Sequence, residues 1–364
     1  MKTKIFIAAL AAAALCTSCM KDHGQSSDVY KVTLRLQSTA TRAELPAATP
    51  GTVVEIIDGY ICFVSANDAI TDVYTISGNA TEGKNIENAD LESSTVTLNN
   101  VPGTSAKVYM ISNPGHVASG LNAAPAVGGN MTAYMTNNME LLDQFFYSAV
   151  TSTGNASLVA GSVPDTRTAA IALSTDVARI QIKGITFSGD ISGKVAGIFI
   201  NGYYPTMQLN GTGNSLKSST IASDYDEVAG SAVFPFDLVD CVYDFVDQSF
   251  NTSVATTVAP PMSKVWGYSL FKSPTPQIVI KLTDVVVGGQ ALATDQFVTI
   301  NGFKNSATSA AINTLEGGMI YTLNTESLVI RYENMTPEPG IKPISVEVTV
   351  TPVVWRETII VPNM

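Results

Sequence analysis

Val29-Tyr30-Lys31-Val32-Thr33-Leu34-Arg35-Leu36-Gln37 sets the class of this chain. Tyr30, Val32, Leu34 and Leu36 alternate with Lys31, Thr33, Arg35 and Gln37. Successive side chains of a strand point to opposite faces, so this period of two marks a strand with one buried face. Outward from it the same grammar repeats. Strands are expected over 53–64, 73–77, 95–98, 107–112, 169–173, 178–185, 195–200, 278–282, 296–300, 319–323, 328–332 and 344–351. Clusters of Gly, Asn, Pro and Thr separate them. Many short strands with turn signals between them predict an all-β chain built of sandwiches. The best helix candidate is Asn137–Phe146, where Met139, Leu142, Phe145 and Phe146 fall at helical spacing; a short helix packed on a sheet, or an irregular loop, is expected there.

The 364 residues make one large or two ordinary domains. Hydrophobic residues are 45% and charged residues 14%, enough apolar material for a core and too little charge for a coiled coil. The net charge of −11 argues against nucleic acid, because a binding site there works by replacing phosphate counterions with Lys and Arg. Only two His and four Cys are available for metal or nucleophile chemistry.

Lys2 and Lys4 precede an unbroken apolar run, Ile5–Leu15. At eleven residues it is too short for a bilayer, which takes about 20 per helix, and it fits a secretory signal over residues 1–18. The run ends Leu15-Cys16-Thr17-Ser18-Cys19, which resembles a lipobox with a diacylglyceryl-Cys at Cys19. Small Ser18 favours Cys19 over Cys16, which would put bulky Leu15 at the cut; an ordinary signal peptide with chance cysteines is the plain alternative. Cys62 and Cys241 stay in the mature fold, within apolar runs. A disulfide is open to them in an oxidising compartment. Two separately buried thiols is the favoured reading, since a free Cys packs as a small hydrophobe.

Ser38–Pro50 is small, polar and Pro-containing, an exposed connector that carries Thr41-Arg42-Ala43-Glu44. A weak echo links Val53-Val54-Glu55-Ile56-Ile57-Asp58-Gly59-Tyr60 with Val195-Ala196-Gly197-Ile198-Phe199-Ile200-Asn201-Gly202-Tyr203, and supports a domain boundary near Ser174. After Pro343 the alternation returns. Ile344, Val346, Val348 and Val350 face one way, and Ser345, Glu347, Thr349 and Thr351 the other. Val353–Val361 follows as a second extended run.

These parts together resemble the Bacteroidales-type fimbrillins, the FimA-like subunits of type V pili. The matching parts are the leader ending at Cys19, Ala40-Thr41-Arg42-Ala43 and Val177-Ala178-Arg179-Ile180-Gln181-Ile182. Gly317-Gly318-Met319-Ile320-Tyr321-Thr322-Leu323 and Val346-Glu347-Val348-Thr349-Val350-Thr351-Pro352-Val353-Val354-Trp355 match as well. The resemblance implies two tandem transthyretin-like antiparallel sandwiches, over 43–174 and 175–342, after a 19–42 propeptide and before a 343–364 donor-strand tail. It implies export as an outer-membrane lipoprotein and cleavage between Arg42 and Ala43 by an Arg-specific protease. The cut would free the removable strand with Tyr30, Val32, Leu34 and Leu36. A neighbouring subunit would refill the slot with a donor strand bearing Ile344, Val346, Val348 and Val350, and the homopolymer would serve adhesion or biofilm formation.

The physics of that exchange stands on its own. A missing strand leaves unpaired backbone groups and an apolar slot, a template for another chain. Four aliphatic side chains at about 1.5–3 kcal/mol each would supply roughly 6–12 kcal/mol before ordering costs. A head-to-tail contact of this kind does not close on itself and gives a filament. Residues 1–42 hold Lys2, Lys4, Lys21, Lys31, Arg35 and Arg42 against Asp22 and Asp28, so their loss takes the formal charge from −11 to −15.

Other features read plainly. Arg42 has the bland alternative of a solvated loop residue. His116 is expected in a turn, His23 leaves with the leader, and Trp266 and Trp355 read as core or interface anchors. Asp224-Tyr225-Asp226-Glu227 lacks the pattern of a calcium loop and reads as a solvated turn. No catalytic, metal-ligating or cofactor-binding constellation is legible, so no enzyme activity and no cofactor is expected. Two other readings stay open: a fimbrial tip or anchor subunit, whose last strands pack into its own domain, and a monomeric glycan-binding outer-membrane lipoprotein.

Overall fold

The computed structural model describes residues 29–38, 53–54, 56, 58–77, 84–87, 91, 95–113, 124–140, 151–218, 222–225, 227–228, 231–232, 243–254, 256–260, 265–352 and 354–355. The chain is all-β, and its strands curl into two sandwich-like bodies, each around its own hydrophobic cluster.

The principal strands of the first body are β1 (Val29–Ser38), β2 (Gly59–Ser65), β3 (Ile70–Ser77), β4 (Thr95–Pro102), β5 (Ser105–Ser112), β6 (Ser152–Ser157) and β7 (Thr166–Thr175). Their spatial order is β3-β2-β5-β6-β7-β1-β4, with Asn85–Glu87 beyond β3. β7 makes the corner. It runs beside β1 over 166–173 and meets β6 at Ser174 and Thr175, so one strand serves both layers. The Tyr74 hydroxyl donates to the Asn99 carbonyl at 3.0 Å, tying the two layers together opposite that corner.

The second body contains β8 (Val177–Ile182), β9 (Ile191–Asn201), β10 (Tyr243–Asn251), β11 (Trp266–Phe271), β12 (Gln277–Val287), β13 (Gln296–Asn305), β14 (Met319–Leu323) and β15 (Ile344–Pro352). Their order is β10-β9-β12-β13-β15-β14-β8-β11. With β15 set aside, it repeats the first body strand for strand, and β8 takes the place of β1. The sheets are mixed rather than purely antiparallel, because β1 runs parallel to β7, β8 to β14 and β13 to β15. Each body thus places an early strand beside a late one of the same direction. The sequence echo falls on equivalent strands, β2 and β9, but at opposite ends of them: Gly59 opens β2, whereas Gly202 follows β9.

The bodies meet at Thr175-Asp176-Val177. Lys272 Nζ lies 2.6 Å from Asp176 Oδ1, and the Lys272 N–H donates to the Asp176 carbonyl. A Cβ on Gly317 would stand 2.0 Å from the Thr175 carbonyl oxygen, so only glycine fits there. Asn138–Glu140 pairs antiparallel with Thr206–Gln208 across the junction. Val177, Met207, Leu209, Phe271 and Ile320 join the first body's core.

Several expectations change here. Asn138–Glu140 is a strand, because Thr206–Gln208 supplies its backbone partners; residues 141–146 of the expected helix lie outside the described residues. An α-helical turn lies upstream at Met131–Tyr134, where the Asn130 side chain accepts from the Ala133 N–H. The expected strand over 53–64 is two pieces, Val53–Val54 and β2. Tyr225 is buried in the second core, 5.2 Å edge-on to Phe199, so its acidic cluster is not simply a solvated turn.

Candidate functional site: the slot of the first strand

β1 is held on both sides. Eight of its residues pair with β7, from Lys31 with Thr166 to Ser38 with Leu173. On the other side β4 pairs antiparallel, from Val29 with Pro102 to Arg35 with Thr95. Lifting β1 out would therefore expose backbone donors and acceptors along both β7 and β4, which the rest of the first body does not satisfy.

The buried face of β1 is narrower than its alternation suggests. Val32 and Leu34 are fully buried, whereas Tyr30 and Leu36 are only partly covered. Val32 and Leu34 enter a cluster with Val96, Leu98 and Val101 of β4 and Ala169, Ile171 and Leu173 of β7. The apolar contribution of the fully buried pair is about 3–6 kcal/mol. Tyr30 is covered by Arg167, whose guanidinium lies 4.1 Å from the ring centroid. Nothing in the spacing of the sequence pointed to Arg167.

β1 has a direction within the body. Its first residue lies at the end farthest from the second body, beside Pro102 and the turn 161–166. There the Lys31 N–H donates to the Asp165 carbonyl at 2.9 Å. Its last residue lies beside Leu173, next to the Thr175–Val177 junction.

The residues read as a donor strand lie elsewhere than expected. Ile344–Pro352 is not a free tail but β15, an interior strand of the second sheet. It pairs parallel with β13 over 344–348 and antiparallel with β14 over 349–352, forming the corner of its own body. Val346 and Val348 are buried in the second core, and Ile344 and Val350 are partly buried against it. The chain beyond Pro352 emerges beside Met319, close to the junction. There Val354–Trp355 pairs parallel with Val53–Val54 of the first half.

Cys62 is a buried free thiol in β2, and burial pushes it up to about 12 from an ordinary 9.0. Trp266 is buried in the second core. Cys19, Arg42, Ala43, His116 and Cys241 lie outside the described residues, as does the side chain of Trp355. Among the described residues no three His, Cys, Asp or Glu side chains come together as a metal site.

No family model matches the sequence, and no curated protein matches it. Solved structures do. A proposed cell adhesion protein from Bacteroides eggerthii superposes with a TM-score of 0.52 at 15% identity, over 90% of this chain and 96% of its own. A second, from Parabacteroides distasonis, gives 0.51 at 11% identity, over 93% and 99%. The chain shares the two-body all-β fold of these bacterial proteins along nearly its whole length.

Proposed function

We propose that the chain is a structural subunit of a bacterial surface fimbria that polymerises head-to-tail by strand exchange once an Arg-specific protease cuts between Arg42 and Ala43. The observation that carries this reading is the place of β1. It is interior to a sheet, it ends four residues before Arg42, and it is the amino-terminal strand of its body. A cut there severs the strand from the chain it packs on, and no other described strand of the first body could be removed by one cleavage. The whole-length likeness in fold to two proposed adhesion proteins supports the class.

Before the cut, the chain is held at the outer membrane through lipid on Cys19; afterwards, residues 19–42 and the lipid leave. β15 is the donor in this scheme, and its surroundings suit the part. In its own sheet it has one parallel and one antiparallel neighbour, β13 and β14. The slot of β1 offers the same pair, β7 and β4. Exchange conserves the kinds of ladder on both sides, while the burial of Val346 and Val348 is lost in one core and regained in the other. The chain acts through binding rather than catalysis, and its partners are other fimbrial subunits.

A second reading has its own observation. A β15 that stays paired on both sides describes a subunit that accepts a strand and gives none, which would terminate a filament as a tip or anchor protein. Denaturing electrophoresis of unboiled surface extract separates the readings: a ladder of this chain means polymer, and a single band attached to other subunits means a terminal role. For the main proposal, Arg42→Ala should leave lipidated, unpolymerised protein beginning at Cys19, and mature fibres should begin at Ala43. Fibres that retain Cys19 would refute it.

A further inference from the structure

The slot of β1 has one open end. At the far end, β1 and β7 run to the junction, where Gly317 of the second body lies so close to the Thr175 carbonyl that not even a methyl group fits. A strand that belongs to another molecule cannot have its parent body at that end. Its body must stand at the mouth, the pole where β1 begins. β15 is joined to its own body through its amino-terminal end, so Ile344 would lie at the mouth and Pro352 at the junction, in the direction of β1.

The mouth carries apolar surface that the described residues leave uncovered. Val163 is 60% exposed, and Pro164 beside it is exposed too. They sit on the turn that closes through the Gly161 N–H to the Thr166 carbonyl and the Thr166 N–H to the Val163 carbonyl. This turn is the one whose Asp165 carbonyl holds the Lys31 N–H. On the approach to β15, Ile341 is 59% exposed and Lys342 is exposed. With Ile344 in the place of Tyr30, Ile341 would arrive just outside the mouth against Val163, and Lys342 would arrive beside the exposed carboxylate of Asp165.

We infer that the rim formed by Val163 and Pro164 is the seat of a second copy of this chain, reached by that copy's Ile341 and Lys342. The inference rests on the strand-exchange reading and adds to it the surface on which the neighbour's body docks. Such a contact would hold the incoming strand's parent in line with the slot before the strand is fully seated, so it governs the rate of assembly as well as its strength.

The test mixes two full-length variants after Arg-specific cleavage, Val163→Cys with Ile341→Cys, and reads covalent dimers on a non-reducing gel. Ala172→Cys, an exposed position of β7 near the junction, replaces Val163→Cys as the control. Dimers from the first pair at several times the yield of the control are expected. Val163→Asp should leave the melting temperature of the uncleaved protein unchanged and slow assembly by about tenfold, the loss of one buried aliphatic contact. If cleaved wild-type protein does not assemble, strand exchange itself fails, and the seat with it. If it assembles but Ile341→Cys links to Ala172→Cys instead, or the Val163→Asp variant assembles at the wild-type rate, the seat alone is overturned.

Discussion

Leu34→Ala should weaken the uncleaved protein and leave the finished fibre untouched. Leu34 is 1% exposed, paired in register with Ala169 of β7 and Val96 of β4. Truncating a buried Leu to Ala costs about 2–5 kcal/mol, because the transfer energy is lost and the cavity collapses only in part. Against a total of about 5–15 kcal/mol for a domain, that is a large share. Cys62 is a built-in reporter, since it is fully buried in the same core and reacts only when the first body opens. Peptide-resolved labelling of Cys62 in the uncleaved variant should accelerate by about thirtyfold to several thousandfold, at tenfold per 1.36 kcal/mol. After cleavage, residue 34 has left with β1, so variant and wild-type fibres are the same molecule and should label at the same rate. Unchanged labelling in the precursor would refute the packing assigned to β1. A fibre made from the variant that labels faster than wild-type fibre would show that β1 is retained, and would end the exchange scheme.

Further outcomes follow from the same geometry. Ending the chain after Pro352 should leave both bodies folded, whereas ending it after Lys342 removes Val346 and Val348 from the second core and should cost about 3–6 kcal/mol, read by urea unfolding of Trp266 fluorescence. Gly317→Ala should loosen the junction, since its Cβ would meet the Thr175 carbonyl at 2.0 Å; faster hydrogen exchange at Val177 and Gly318, whose N–H donates to the Val177 carbonyl, would register it. Burial raises the Cys62 thiol from 9.0 to about 12 and the Tyr74 phenol, also desolvated and beside Asp72, from 10.0 to about 12. The unfolded chain gives up these protons first. The contribution of these two groups should therefore be level below pH 9 and fall as pH rises from 9 toward 12, with Cys62 alone losing about 1.4 kcal/mol per unit. Cys62→Ser should flatten the onset near pH 9 in alkaline melting curves.

Some misreadings have a common cause. Met139, Leu142, Phe145 and Phe146 share a helical spacing, yet Asn138–Glu140 is a strand, because Thr206–Gln208 of the other body supplies its backbone partners. Ile344–Thr351 was legible as a strand with one apolar face, and it is one. Its alternation carried no sign that β13 and β14 flank it, because side-chain period records burial of a face and says nothing about the two hydrogen-bonding edges. The same silence covers Arg167 over Tyr30 and Val163 at the mouth, both of which depend on how β1 and β7 lie together.

The amino-acid sequence by itself determined that this is a β protein, that its strands over 29–37 and 344–351 each carry one apolar face, and that strands lie near both ends of the chain. These follow from local periodicity and turn chemistry, which act over a few neighbouring residues. Only the tertiary structure decided that β1 lies between β7 and β4, that its slot opens away from the junction, and that β15 is an interior strand. Those are choices among backbone edges far apart in the chain, and a backbone amide is the same donor whichever residue carries it.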